Sequence, residues 1–190
     1  MDVTIRKWII DILERHTRLL AIAMHHRAKF EGWLKFELAA YAEAQGARDV
    51  EVESACNGLD SASGRSDVAF FFNETRFDIE LKTPNSNWRI PGIRNKIRPI
   101  TQNVAEIIGD VRKLKNGSNN GIVAFVLFPV PVQDNRWVDY LNRIATKTSI
   151  CLSEQDHCSR LSIPLEEKCI VELVVCCFSI PSLECASTVR

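Results

Sequence analysis

The chain has 190 residues, of which 46% are hydrophobic, and this combination suits one folded domain and excludes a disordered protein. Its formal net charge is +0, so any contact with nucleic-acid phosphates must come from a local basic patch rather than from a global field. Charges already interrupt residues 1–16, and no uncharged run approaches the roughly 20 residues of a membrane span, so neither a signal peptide nor a membrane helix is expected.

The chain alternates between helical and strand patterns. Apolar residues at helical spacing predict helices, and short apolar or β-branched runs between turn signals predict strands. In chain order the predicted elements are helix 3–29, helix 31–45 ending at Gly46, strand 48–54, loop 57–64, hairpin 65–83, irregular segment 84–99, helix 101–115, strand 121–130 buried on both faces, helix 135–145 and strand 169–180. This order predicts an α/β or α+β protein with a mixed sheet between helices.

Seven cysteines are present, six of them in residues 151–185. Because neither a signal peptide nor a membrane helix is expected, we expect reduced thiols and a cytoplasmic protein. Cys176-Cys177 falls in an apolar run, where cysteine behaves as a small hydrophobe. A zinc site built from Cys151, Cys158, Cys169 and His157 is the alternative, but it lacks the C-x-x-C pair typical of structural zinc. His25 and His26 are expected at a helix end rather than as metal ligands.

The hairpin places three charged residues on one face. If positions 73–74 form the turn, Asp67 falls opposite Glu80 with Cβ atoms about 5 Å apart, and Lys82 projects from the same face. Facing carboxylates repel, and a hard divalent cation would compensate them. Lys82 could then hold or activate a water. The alternative is a surface salt bridge from Glu80 to Lys82 or to Arg65. The residues predicted to face the core are Phe70, Phe72, Phe77, Ile79 and Leu81.

The segment that follows the hairpin is basic, with no acidic residue from Lys82 to Ala105. Such a patch could bind the phosphate backbone of a nucleic acid. Trp88 could stack on a base, although packing beneath its own loop is the favoured role. The residues predicted to bind nucleic acid are Trp88, Arg89, Arg94, Lys96 and Arg98.

Ser66-Asp67, followed by Glu80-Leu81-Lys82 at a hairpin end, resembles the core motif of the PD-(D/E)XK, or restriction-endonuclease-like, nucleases. The resemblance covers residues 31 to about 128, and Ser66 stands in place of the proline. It implies a central mixed β-sheet flanked by α-helices and Mg²⁺- or Mn²⁺-dependent hydrolysis of phosphodiester bonds, in DNA or alternatively in RNA. The chain would form one nuclease-like domain over 1–190, with an N-terminal helix in 1–30, a catalytic core in 31–130 and a helix-and-strand extension in 131–190.

The same resemblance implies roles for the residues of the hairpin. Asp67 and Glu80 would be metal ligands, together with the backbone carbonyl of Leu81. Lys82 would position or deprotonate the attacking water. Asp78 shares the face of Glu80 but lies opposite Ala69, so a secondary role or none is expected.

Two helical residues extend this site by resemblance. Glu37 would bind the metal directly or through water, with Glu31 as the poorer match, and Gln102 would contact Lys82, the water or a phosphate. The alternatives are a solvated helix glutamate and a polar residue at a helix start.

The function also has alternatives. One is a catalytically inactive module of the same fold that binds nucleic acid or a partner protein. Another is a structural subunit that assembles through the Cys-rich tail, and a homodimer is compatible with each of these readings. A membrane partner is not expected.

Overall fold

The computed structural model describes residues 1–55, 65–94, 100–166 and 169–180. The predicted loop over 57–64 therefore lies outside the described residues. The helices are α1 (Asp2–Arg15), α2 (Thr17–His26), α3 (Glu31–Ala44), α4 (Ile100–Lys115), α5 (Val138–Thr148) and α6 (Glu154–His157). The strands are β1 (Arg48–Ala55), β2 (Arg65–Phe72), β3 (Thr75–Lys82), β4 (Asn120–Pro131), β5 (Cys158–Glu166) and β6 (Cys169–Ile180). None of the described helices combines the length and the hydropathy that crossing a bilayer requires.

The six strands form one mixed sheet in the order β1-β2-β3-β4-β6-β5. β1, β2 and β3 form an antiparallel meander, and β4 lies parallel to β3. A parallel neighbour requires a crossover connection, and α4 provides it. β6 and β5 complete the sheet in antiparallel pairing. The predicted mixed sheet packed against helices is confirmed, and the chain is an α/β protein.

Helices cover both faces of the sheet, so the fold has two hydrophobic cores. Side chains of α1, α2 and α3 pack on one face, and those of α4 and α5 pack on the other. β4 contributes to both, as predicted for a strand buried on two sides. Its residues toward the first core are Ile122, Ala124, Val126 and Phe128, and those toward the second are Val123, Phe125, Leu127 and Val130.

The hairpin turns where the sequence predicts. Asn73 and Glu74 adopt left-handed φ angles of 49° and 62°, as a two-residue type I′ turn requires. Phe72 pairs with Thr75, and the ladder continues to Val68 and Ile79. The five residues predicted to face away from the charged side are buried or partly buried in the first core.

The ladder between β2 and β3 ends one pair before the position predicted for Asp67 and Glu80. β2 stays paired with β1 as far as Ala55 and Arg65, so β2 follows β1 while it diverges from β3. The prediction that Asp67 and Glu80 form a directly opposed pair is therefore wrong. The divergence opens the sheet at its end, and this gap positions the site described below.

Two other predictions need correction. The single helix predicted over 3–29 is two helices, because the helical backbone is interrupted at His16, whose φ is −121°. The second of these helices, α2, ends at Arg27, which has a left-handed conformation. The break lets α1 pack on β6 and α2 on β5. β5 was not predicted, because this edge strand contains Pro164, and proline weakens the strand pattern yet is tolerated at a sheet edge.

Candidate active site

The gap between β2 and β3 is filled by the carboxylate of Asp67. Its Oδ2 accepts a hydrogen bond from the backbone N–H of Leu81 at 2.8 Å. Its Oδ1 accepts one from Nζ of Lys35 at 3.2 Å, and Lys35 also donates to Glu53 at 3.1 Å. Asp67 is thus fixed at the end of β3 by a strand amide on one side and by α3 on the other.

Lys82, the last residue of β3, reaches three carboxylates. Its Nζ is 3.3 Å from Oδ2 of Asp110, 3.8 Å from Oε1 of Glu31 and 3.9 Å from Oδ2 of Asp67. It also donates to the carbonyl of Leu81 at 3.1 Å. Burial disfavours the ammonium, but the surrounding carboxylates outweigh this effect and raise the pKa of Lys82 above its ordinary value. Lys82 is therefore a proton-bearing cation at neutral pH.

Glu80 is the most deeply buried acid of this region, with 2% of its surface exposed. Its Oε1 lies 2.5 Å from Nζ of Lys113 on α4, and Lys113 also donates to the carbonyl of Arg65. Burial raises the pKa of Glu80 to about 7, and the negative charges of Asp67 and Asp110 add to this effect, whereas Lys113 opposes it. The Glu80 carboxyl therefore changes charge in the physiological pH range.

Asp110 enters from the middle of α4. Its Oδ2 is buried and faces the Lys82 ammonium as an ion pair without hydrogen-bond geometry. Burial raises the pKa of Asp110, although Lys82 works in the other direction. Together these groups form the hairpin-end cluster, which consists of Glu31, Lys35, Asp67, Glu80, Lys82, Asp110 and Lys113.

The donor atoms of the hairpin-end cluster fit a hard divalent cation in kind. Asp67 and Glu80 offer carboxylate oxygens, and Leu81 offers its backbone carbonyl, which are the ligands that Mg²⁺ prefers. The arrangement of these side chains differs from that of a complete metal-binding site. Within residues 1–55, 65–94, 100–166 and 169–180, no three His, Cys, Asp or Glu side chains meet in a group suited to hold a metal ion. Lysine ammoniums pair with the carboxylates instead, so bound metal requires at least one of them to move.

The structure does not bring Glu37 and Gln102 to the hairpin-end cluster. Glu37 lies 3.8 Å from Nε2 of His16, because six residues along a helix place its side chain about 120° around the axis from that of Glu31. Glu31, the poorer match in the sequence, is the helix glutamate that reaches Lys82. Gln102 is exposed near the start of α4, eight residues or about 12 Å of helix before Asp110.

The predicted nucleic-acid contacts have mixed outcomes. Trp88 is only 9% exposed and packs in the second core near Tyr140, with Arg136 over its ring, so its face is not open to a base. Arg89 and Arg94 are exposed on the segment that follows β3. Lys96 and Arg98 lie outside the described residues.

Three residues were not predicted as members of this cluster: Lys35, Asp110 and Lys113, although Lys113 belongs to the basic residues of the helix after the hairpin. Two spacings could have revealed them. Glu31 and Lys35 are four residues apart, normally a pair that stabilises its own helix, but here both side chains turn toward the strands. Asp110 and Lys113 are three apart and border the apolar stripe of α4, which places them on the rim of its buried face.

A cavity and the described cysteines are two further features that could form a site. A cavity of about 360 Å³ is lined by α2, by the segment at Pro91, and by Leu165 of β5 and Cys169 of β6, with His25 and His26 in its wall, and it does not include the hairpin-end cluster. The five cysteines that the structure describes are all free, and none of them joins a metal-binding group within the described ranges. The zinc alternative therefore gains no support.

Comparison of the chain with protein-family models, with curated proteins and with solved structures finds no match.

Proposed function

We propose that this protein is a metal-dependent nuclease that hydrolyses phosphodiester bonds, most readily as a DNA endonuclease of the restriction-endonuclease-like fold. The observation that carries the proposal is the convergence of Asp67, Glu80 and Lys82 where β2 diverges from β3. The six-stranded mixed sheet packed against helices agrees with the central mixed sheet that the resemblance implies.

The proposed roles follow from the contacts of each group. Asp67, Glu80 and the Leu81 carbonyl would hold a Mg²⁺ or Mn²⁺ ion, which polarises a phosphate and lowers the pKa of a bound water. Lys82 would donate hydrogen bonds to the attacking water and so direct an oxygen lone pair at the phosphorus. Its raised pKa favours this positioning role over proton abstraction. Glu31 and Asp110 would orient the Lys82 ammonium.

The substrate would be held beside this site by the segment that follows β3. Arg27 anchors that segment, because its guanidinium is fully buried and donates to the carbonyls of Ser86, Trp88 and Arg94. The anchored backbone presents Arg89 and Arg94 to solvent, where they can contact phosphates.

A cleavage assay tests the proposal. The full chain, with Mg²⁺ or Mn²⁺, would be incubated with supercoiled plasmid, linear duplex, single-stranded DNA and RNA, each with an EDTA control. We expect metal-dependent cleavage of DNA and a loss of roughly 100-fold or more in Lys82→Ala. Lys115→Ala, which removes an ammonium from the end of α4 that binds Thr148, is the matched control. Cleavage retained in Lys82→Ala, with folding verified by thermal unfolding, would remove Lys82 from the mechanism.

A second candidate is a non-catalytic module of the same fold that binds nucleic acid or a partner protein. It is favoured by the lysine pairing of the carboxylates, since an ion-pair cluster can serve a purely structural purpose. Calorimetric titration with Mn²⁺ separates the two candidates. A nuclease must bind the ion at Asp67 and Glu80, and Asp67→Asn would abolish that binding, whereas a module needs no metal at this site.

A further inference from the structure

We infer that Lys113 is an internal counter-ion of the candidate metal site, which a divalent cation must displace from Glu80 in order to bind. The inference rests on the metal-binding part of the proposed function and assigns Lys113 a regulatory role there. It concerns an exchange of one cation for another on a single carboxylate.

The contact between Glu80 and Lys113 is the first step of the argument. Glu80 is almost completely buried on β3, and an isolated carboxylate in that position would be strongly destabilising. Lys113 reaches it from α4, on the adjoining layer of the fold, with Nζ 2.5 Å from Oε1. A bond from the same ammonium to the carbonyl of Arg65 fixes its direction. Lys113 thus supplies the positive charge that a metal ion would otherwise supply.

The two cations cannot occupy this carboxylate together at low cost. A Mg²⁺ ion bound to Glu80 would lie about 2.1 Å from one of its oxygens. With Nζ of Lys113 already 2.5 Å from Oε1, the two positive charges would be close neighbours in surroundings that screen them poorly. Binding of the ion therefore favours release of the ammonium.

Lys113 is the cluster lysine best suited to leave. Lys82 is held among Asp110, Glu31 and Asp67, and Lys35 bridges Asp67 and Glu53. The side chain of Lys113 is 23% exposed, more than that of Lys35 at 12% or Lys82 at 19%. Its flexible four-carbon stem can carry the ammonium from Glu80 into solvent.

Calorimetric titration of the full chain with Mn²⁺ tests the exchange. We expect Lys113→Met to bind Mn²⁺ roughly tenfold more tightly than the wild type, because the competing charge is gone while the aliphatic stem remains. Lys115→Met removes an ammonium two residues away on the same helix and should change the Kd by no more than about twofold. This control separates displacement at Glu80 from a general change in charge.

The outcomes distinguish the inference from the proposed function. Unchanged or weaker Mn²⁺ binding by Lys113→Met overturns the inference, even if the wild type binds the ion and cleaves DNA. Tighter binding without cleavage of any phosphodiester substrate supports the inference while the nuclease proposal fails. If neither protein binds Mn²⁺, both are overturned.

A measurement on the wild type covers the case in which Lys113→Met does not fold. With ¹⁵N-labelled lysine, the Lys113 ammonium should give a protected NMR resonance that shifts or exchanges faster with water when Mg²⁺ is added. The Lys115 resonance is the internal reference. A Lys113 resonance unchanged at saturating Mg²⁺ would contradict displacement.

Discussion

Replacing Glu80 by glutamine should remove a loss of stability that the wild-type protein undergoes as the pH rises from about 4.5 to about 7. The pKa of Glu80 is about 7 in the folded protein, against 4.5 for an ordinary glutamate. Between these values the folded protein keeps a proton that the unfolded chain has released, so folding takes up a proton and rising pH favours unfolding. The difference of about 2.5 in pKa corresponds to about 3 kcal/mol.

Urea unfolding at several pH values between 4 and 8 measures this effect. The free energy of unfolding of the wild type, relative to that of Glu80→Gln, should fall by about 3 kcal/mol across the interval and then level off above pH 7. Glu74→Gln, which removes a carboxylate whose side chain is 85% exposed, is the matched control for loss of one negative charge. Parallel curves for wild type and Glu80→Gln would refute the reasoning, because they would mean that burial does not hold the proton on Glu80.

Two further predictions concern the surroundings of the hairpin-end cluster. Arg27→Met should lower the free energy of unfolding by about 3 kcal/mol or more, because three carbonyls lose their buried donor. Arg18→Met, on the exposed side of α2, should change the free energy of unfolding little. Equal effects of the two substitutions in urea unfolding would contradict this role of Arg27. Glu31→Gln should slow cleavage about tenfold because its carboxylate lies 3.8 Å from Nζ of Lys82, whereas Glu37→Gln should not. A comparable loss in Glu37→Gln, measured in the plasmid assay, would argue against this choice of glutamate.

Local chemistry was sufficient to predict the hairpin and its buried side. Asn73 and Glu74 lie between two dense β-forming runs, and side-chain alternation then sets which residues share a face. The same reasoning predicted β4, because an apolar run bounded by turn signals suits a strand covered on both sides. These predictions succeed because turn preference and alternation are properties of neighbouring residues.

The sequence predicts that Asp67, Glu80 and Lys82 lie near one end of the hairpin, but it does not predict the contacts that these side chains make. Ideal pairing predicts that Asp67 and Glu80 face each other, whereas β2 follows β1 and leaves β3 at this point. Asp67 consequently bonds to the Leu81 amide. Strand divergence depends on the neighbouring strands of the sheet, so the spacing within a hairpin does not reveal it.

The helix side chains that meet the hairpin were decided by packing alone. Glu31 and Glu37 lie on one helix and are indistinguishable by residue type, and the orientation of α3 against the sheet brings only Glu31 to Lys82. Lys113 is 33 residues from Glu80 in the chain, yet the crossover through α4 places the two side chains in contact. The sequence by itself determined the hairpin, β4 and the positions of the charges along the chain, whereas the charge balance around Glu80 arose from long-range contacts between layers, which no local pattern encodes.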